Sequence, residues 1–135
     1  MEYRKSYKAF VLWLVVCMAA MFSPMLLPKD TDAGLVMRLV FNLTSLGLVV
    51  LMWIIWRTES VYWINGTTFE QARDAGGARR RAFALAHMKV FARFALGYAI
   101  FSIIMQLKNV GFVADIVAFC VGLIASALLT LRIRL

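Results

Sequence analysis

Two ionisable residues lie inside otherwise apolar stretches of the sequence. Arg38 follows Gly34 by four residues, and Asp115 follows Gly111 by the same interval. Each glycine marks the edge of a long apolar run, so both charges lie about 6 Å inside at helical rise. An isolated charge in hydrocarbon is costly, and such groups usually pair with each other or face water. We therefore expect an Arg38–Asp115 ion pair, within one subunit or across a subunit boundary.

Further polar residues continue the face that carries Arg38. Asn42 lies one helical turn beyond it, and Ser45 extends the same line. Such a line can border a water-filled path for ions or protons, or it can form interhelical hydrogen bonds of about 0.6–2 kcal/mol each. At this shallow depth the pattern favours a structural ion pair over a transport site. Side chains that reach out to the headgroup layer are a further alternative.

The composition shows what surrounds these charges. Of the 135 residues, 63% are apolar and 16% are charged, and the mean hydropathy is +0.80. An ordinary soluble domain is about 45–50% apolar and about 25% charged. A soluble fold of this length buries only about 70% of its surface and could not hide so much apolar area. The composition therefore excludes a soluble globular domain and predicts a small membrane protein.

Four apolar runs are long enough to cross a bilayer: 9–27, 35–56, 91–107 and 112–131. About 20 helical residues span the roughly 30 Å hydrocarbon core. The sequence thus predicts an all-α membrane protein with one domain of four antiparallel helices, arranged up-down-up-down. A cleaved signal peptide is an alternative for the first run. That run is longer than the usual apolar region of a signal peptide, so we expect the span to remain.

Basic residues are distributed unevenly between the two ends of these spans. Twelve of the 15 Lys and Arg residues lie in the N-terminal segment, in or near the loop 57–90, or after the fourth span. Only Lys29 and Lys108 lie at the other end, with Arg38 just inside a span. The positive-inside rule then places both termini and the loop 57–90 in the cytoplasm. A plasma or inner membrane is the expected location.

The loop 57–90 carries signals for local structure of its own. Thr67 and Glu70 have the spacing of a capping box, which predicts a short interfacial or cytoplasmic helix before the third span. The pair Gly76 and Gly77 ends it. We expect a second helix to begin near Ala78 and to continue without a break into the third span.

A basic and aromatic cluster lies in the same loop. Arg79, Arg80 and Arg81 crowd the start of the second helix, and Tyr62 with Trp63 precedes them. These arginines either enforce topology alone or contact anionic lipid headgroups or an acidic partner, and in the second case Tyr62 and Trp63 belong to the same contact surface. Nucleic acid is not an expected partner, because topology accounts for the net charge of +8.

The fourth span has a small residue at every fourth position: Ala114, Ala118, Gly122 and Ser126. Such a face lets two helix backbones approach closely. It could pack within the bundle or form the seam of a homodimer, and the pattern does not decide between the two.

The sequence contains no recognisable catalytic motif, and neither Cys17 nor Cys120 has a neighbour at metal-ligand spacing. We therefore expect no enzyme activity, no metal and no cofactor. The favoured function is a non-catalytic assembly or accessory component of a membrane complex, in the bilayer with itself or another membrane protein. The alternative is a small homo-oligomeric transporter or channel that uses Arg38, Asn42 and Asp115. An intramembrane enzyme is a third possibility.

Overall fold

The structure, a computed structural model, describes residues 3–64 and 66–135. Helix accounts for 78% of it, and the described residues contain no strand. They form five α-helices: α1 (Lys8–Phe22), α2 (Ala33–Thr58), α3 (Phe69–Asp74), α4 (Gly77–Leu107) and α5 (Val113–Thr130). All of these except α3 are long and apolar enough to cross a membrane, with α1 counted together with the turn that follows it. The predicted all-helical fold with four candidate spans is confirmed.

The first span is α-helical over only part of its predicted length. The α-helix ends at Phe22 and continues as a 3-10 turn over Ser23–Leu26. Pro24 accounts for the change, because it has no N–H to donate and its ring collides with the carbonyl one turn earlier. The Ser23 hydroxyl instead donates to the Ala20 carbonyl at 2.7 Å.

Helix α1 lies at the edge of the bundle. It packs on α2, α2 packs on α4, and α4 packs on α5. The indole N–H of Trp13 donates to the Gly47 carbonyl at 2.9 Å. A Cβ at Gly47 would lie 2.6 Å from the Cys17 sulfur, so this glycine permits the close approach of α1 to α2. No side chain of α1 is buried.

Helix α4 is continuous from the loop into the third span, as the sequence predicts. Its 31 residues extend about 46 Å at helical rise, which is longer than the hydrocarbon core. The short helix α3 precedes it, but its cap lies one residue later than predicted. Thr68 and Gln71 form the capping box. The Thr67 N–H instead donates to the Ile64 carbonyl and closes the preceding turn.

An aromatic cluster fills the space between α2, α4 and α5. The rings of Phe41 and Phe119 stack with their centroids 4.6 Å apart. Tyr98 meets Phe119 edge-on at 5.3 Å, and Phe94 lies 5.6 Å from Phe119. These contacts join α2 to α5 through side chains.

The small-residue face of α5 is used partly inside the subunit. A Cβ at Gly122 would lie 2.6 Å from the Phe94 ring. The buried Ser126 donates its hydroxyl to the Gly122 carbonyl at 2.8 Å. Ala114 and Ala118 are half-buried and border a shallow apolar groove. Gly122 is therefore a packing residue between α4 and α5.

We expect Gly122→Leu to lower the free energy of unfolding by about 1–3 kcal/mol, because the added side chain must displace the Phe94 ring. Gly97→Leu is the matched control, since a Cβ at Gly97 meets nothing within 4 Å. Thermal unfolding in detergent measures both variants. Equal stability of the two variants would contradict the internal role of Gly122.

Candidate functional site

The structure joins Arg38 and Asp115 within one subunit. Arg38 Nε donates to Asp115 Oδ2 at 3.0 Å, and Nη2 lies 2.9 Å from the same oxygen. Arg38 is 5% exposed and Asp115 is fully buried. The pair links the second turn of α2 to the first turn of α5. Neither side chain extends to the outside of the bundle.

Local structure holds each member of the pair in place. The Asp32 carboxylate caps α2 by accepting the Leu35 N–H at 2.9 Å, which fixes the turn that leads to Arg38. Asp115 lies in the first turn of α5, where the helix dipole stabilises a negative charge. The connection between α4 and α5 turns at Asn109, whose φ of 51° is one that Asn tolerates better than most residues.

Two further groups accept hydrogen bonds from the Arg38 guanidinium. Arg38 Nη1 donates to the Gln106 side-chain oxygen near the end of α4, and Nη2 donates to the Val110 carbonyl. We call Arg38, Asp115, Gln106 and the Val110 carbonyl the Arg38 network. Neither of these two groups was predicted from the sequence. Gln106 could have been proposed, since it is an amide near the same end of the bundle, whereas no residue type marks a backbone carbonyl that accepts from an arginine.

The polar line beyond Arg38 forms hydrogen bonds within the bundle. Asn42 Nδ2 donates to the Arg38 carbonyl at 2.8 Å and to Ser102 Oγ at 2.9 Å. Ser45 Oγ donates to the Asn42 carbonyl at 2.9 Å. The Asn42–Ser102 bond joins α2 to α4. Asn42 and Ser45 thus lie where the sequence analysis placed them, and their hydrogen bonds are made to protein groups.

Two buried polar atoms beside the pair have no hydrogen-bond partner among the described residues. They are the Tyr98 hydroxyl and Asp115 Oδ1. The charges of Asp115 and Arg38 both act on the Tyr98 hydroxyl, so the three groups share one polar region. Tyr98 was not predicted as a site residue, because an aromatic residue within an apolar span is typical of a residue that only packs against its neighbours.

A second charged cluster organises the opposite end of the bundle. Glu59 follows α2 and accepts Arg80 Nε at 3.0 Å and Nη2 at 2.6 Å. Arg81 Nε donates to the other Glu59 oxygen at 2.8 Å. The Arg80 guanidinium also lies 4.1 Å from the centre of the Tyr3 ring. We call Tyr3, Glu59, Arg80 and Arg81 the Glu59 cluster.

Arg80 is one of the three arginines expected either to enforce topology or to contact lipid or a partner, and in the structure it bonds to other residues of the chain. It is only 8% exposed, and its Nη1 donates to the Ala72 carbonyl at 2.9 Å, so it is not available to a lipid headgroup or partner. Glu59 supplies the counter-charge, 21 residues earlier in the chain. Arg79 and Arg81 are exposed, although Arg79 donates to the Leu135 carbonyl at 2.8 Å.

The two aromatic residues predicted to contact lipid or a partner hold the N-terminal segment. The Tyr62 hydroxyl donates to the Ser6 carbonyl and accepts the Ser6 N–H, both at 2.7 Å. The Trp63 indole N–H donates to the same carbonyl at 3.2 Å. Both rings are half-buried, so only part of each surface faces outward.

Electrostatics stabilise the Glu59 cluster at neutral pH. Desolvation raises the pKa of Glu59, but hydrogen bonds and positive charge from Arg80 and Arg81 outweigh it, and the pKa lies below its usual value. Burial raises the pKa of Tyr3 to about 12, although the Arg80 charge opposes the rise. Tyr3 therefore stays neutral and donates its hydroxyl to the Glu59 carbonyl at 2.7 Å.

We expect acid to loosen this end of the protein. Because folding lowers the pKa of Glu59, its contribution to stability is present above the unfolded pKa of about 4.3. That contribution is lost as the pH falls through the lower folded pKa. Hydrogen exchange of residues 59–81 should accelerate between pH 5 and pH 3, after correction for intrinsic rates. Glu59→Gln should lack this step, and an identical step in that variant would contradict the assignment.

Within the described residues no group of three or more His, Cys, Asp and Glu side chains could hold a metal ion. Cys17 and Cys120 are free thiols. Comparison of the chain with family models, curated proteins and solved structures finds no match.

Proposed function

We propose that the protein is a non-catalytic integral membrane component that assembles with, or assists, a larger membrane complex. The observation that carries the proposal is the closed Arg38 network. All three guanidinium nitrogens of Arg38 donate to groups of the same subunit. A charge committed in this way ties α2, α4 and α5 together.

The interior next to the network is consistent with a structural role. A path for ions or protons needs polar groups that water can reach in succession. Here Asn42 and Ser45 bond to protein atoms, and the Phe41, Tyr98 and Phe119 rings pack together beyond them. The polar groups of the Arg38 network therefore act as a structural clasp, which means a set of contacts that holds α2, α4 and α5 together.

The outer surface of the bundle supports association with another membrane protein. Helix α1 packs on α2 and has no buried side chain, so most of its apolar surface is open to lipid or to a neighbouring helix. Its exposed large side chains include Leu12, Val15, Val16 and Phe22. An edge helix of this kind provides area for a partner without disturbing the clasp.

The orientation in the proposal follows from the distribution of charge. Contacts of Tyr3 with Glu59 and of Arg79 with Leu135 gather the N-terminal segment, the loop and the last residues at one end, which we call the basic end. Most Lys and Arg residues lie there. By the positive-inside rule this end faces the cytoplasm, which fits a plasma or inner membrane.

A small homo-oligomeric transporter that uses Arg38, Asn42 and Asp115 is the second candidate. The burial of Asp115 beside the Tyr98 hydroxyl favours it, because buried ionisable groups within membranes often handle ions or protons. The Phe41 and Phe119 rings pack beside these groups. The clasp therefore remains the better supported role.

Flux measurements on reconstituted protein test the choice. Proteoliposomes should pass H⁺, Na⁺, K⁺ and Cl⁻ no faster than empty liposomes, and Asp115→Asn should reduce stability because it removes the charge that Arg38 binds. Flux in the wild type that disappears in a stably folded Asp115→Asn variant would instead establish the transporter.

A further inference from the structure

A cavity of about 870 Å³ lies at the basic end, between α2, α4 and the residues that follow α5. Its volume is within the range of pockets that hold small ligands, about 300–1,000 Å³. The Arg38 network lies at the other end of the bundle and takes no part in it. The cavity is not enclosed, so a ligand can enter it.

The wall of this cavity changes from charged to apolar along α4. Arg79, Phe83, His87 and Phe91 line it at intervals of one helical turn, over about 18 Å of the helix axis. Leu51, Met52 and Ile55 form the facing wall on α2. Phe83, His87, Met52 and Ile55 are buried where α2 packs on α4. The apolar surface that a ligand can reach is formed by Leu51, Trp63, Phe91 and Leu131, and the basic part lies at the end of the helices.

The mouth of the cavity carries an excess of positive charge. Arg79 and Arg134 both line it and are exposed. Arg79 uses one of its five N–H donors on the Leu135 carbonyl. Among the described residues, Arg134 has no ion-pair partner. Asp74 is the one acidic side chain among the described residues of the lining, and Arg73 already pairs with it at 3.1 Å.

We propose that this cavity binds one anionic phospholipid of the surrounding leaflet. Its phosphate lies at Arg79 and Arg134, and one acyl chain lies along the accessible apolar wall formed by Leu131, Leu51 and Phe91. A basic mouth complements the phosphate, and an elongated apolar wall complements the chain. The open side leaves the second acyl chain in the bilayer. This inference rests on the proposed membrane location and adds a specific lipid to the proposed function.

Native mass spectrometry of the purified full chain tests the proposal with three added probes: phosphatidylglycerol, phosphatidylcholine and palmitate. We expect one phosphatidylglycerol per subunit to be retained in preference to phosphatidylcholine. The double variant R79Q/R134Q should bind phosphatidylglycerol at least about tenfold more weakly. The matched control is K89Q/R132Q, which removes the same charge from exposed positions outside the cavity. It should bind like the wild type.

A second readout locates the lipid. Trp63 lines the cavity, so phosphatidylglycerol with a brominated acyl chain should quench its fluorescence, and the quenching should be lost in R79Q/R134Q. The variant Trp63→Phe identifies the share of the signal that comes from this residue. Unchanged thermal unfolding of R79Q/R134Q shows that its loss of binding is not a loss of fold.

Three results would overturn the proposal: equal retention of phosphatidylglycerol and phosphatidylcholine, equal binding by the two double variants, or palmitate displacing phosphatidylglycerol. The first two would mean ordinary annular lipid, and the third would mean a fatty acid as the ligand. None of these results bears on whether the chain copurifies with a partner protein, so failure here is distinguishable from failure of the proposed function.

Discussion

Replacing Arg38 with alanine is expected to lower the free energy of unfolding by about 3–5 kcal/mol, the typical cost of removing one partner from a buried ion pair. Asp115 would remain fully buried with no counter-charge. Gln106 and the Val110 carbonyl would each lose the donor that now binds them. Three helices meet at Arg38, so the loss should affect the whole bundle.

Denaturant unfolding in detergent or bicelles measures this effect, with Arg57→Ala as the control on the same helix. Arg57 is exposed, and its guanidinium lies near the Trp53 ring. Its removal should cost no more than about 1 kcal/mol. The exchange of both charges, Arg38→Asp with Asp115→Arg, should recover part of the loss. An Arg38→Ala or Asp115→Asn protein as stable as the wild type would rule out the clasp.

The second large effect is expected at the opposite end of the bundle. Arg80→Ala should destabilise the loop between α2 and α4 by about 2–3 kcal/mol, since it removes a buried guanidinium that binds Glu59 and the Ala72 carbonyl. Arg81→Ala is the matched control, because Arg81 is the next residue in the chain. Arg81 also pairs with Glu59, but its side chain is 61% exposed, so its removal should cost at most about 1 kcal/mol.

Hydrogen exchange separates the two arginine variants by region. In Arg80→Ala, protection should fall over residues 59–81, while residues around Arg38 keep the wild-type rate. In Arg81→Ala both regions should stay close to wild type. If Arg80 contacts only lipid headgroups, the two substitutions will have equal effects on exchange, and the internal role assigned to Arg80 would be wrong.

The sequence predicted the long elements well because long apolar runs and charge placement determine them. The continuous α4 followed from the absence of proline between Ala78 and Leu107, where Gly97 is the single glycine. The equal depths of Arg38 and Asp115 could be read from their spacing to Gly34 and Gly111. Each of these features depends on residues that are close in sequence or on a simple count along a helix.

The remaining features depend on how distant segments meet. The partnership of Glu59 with Arg80 requires the chain to reverse between them, and the positive φ of 58° at Glu59 begins that reversal. Two overlapping capping boxes fit the sequence near Thr67, and the turn geometry selects the later one. The small-residue face of α5 predicted close packing against an unspecified helix. Only the three-dimensional structure shows that the neighbour is α4, whose Phe94 ring lies against Gly122.

We propose that this chain works as a component of a larger membrane assembly. The decisive experiment is native mass spectrometry after mild extraction from its own host, with lipids retained. We predict that the chain copurifies with another membrane protein at a fixed stoichiometry, which also survives a second purification through the partner. Recovery of the chain alone, as a monomer or as a homo-oligomer, would contradict the claim.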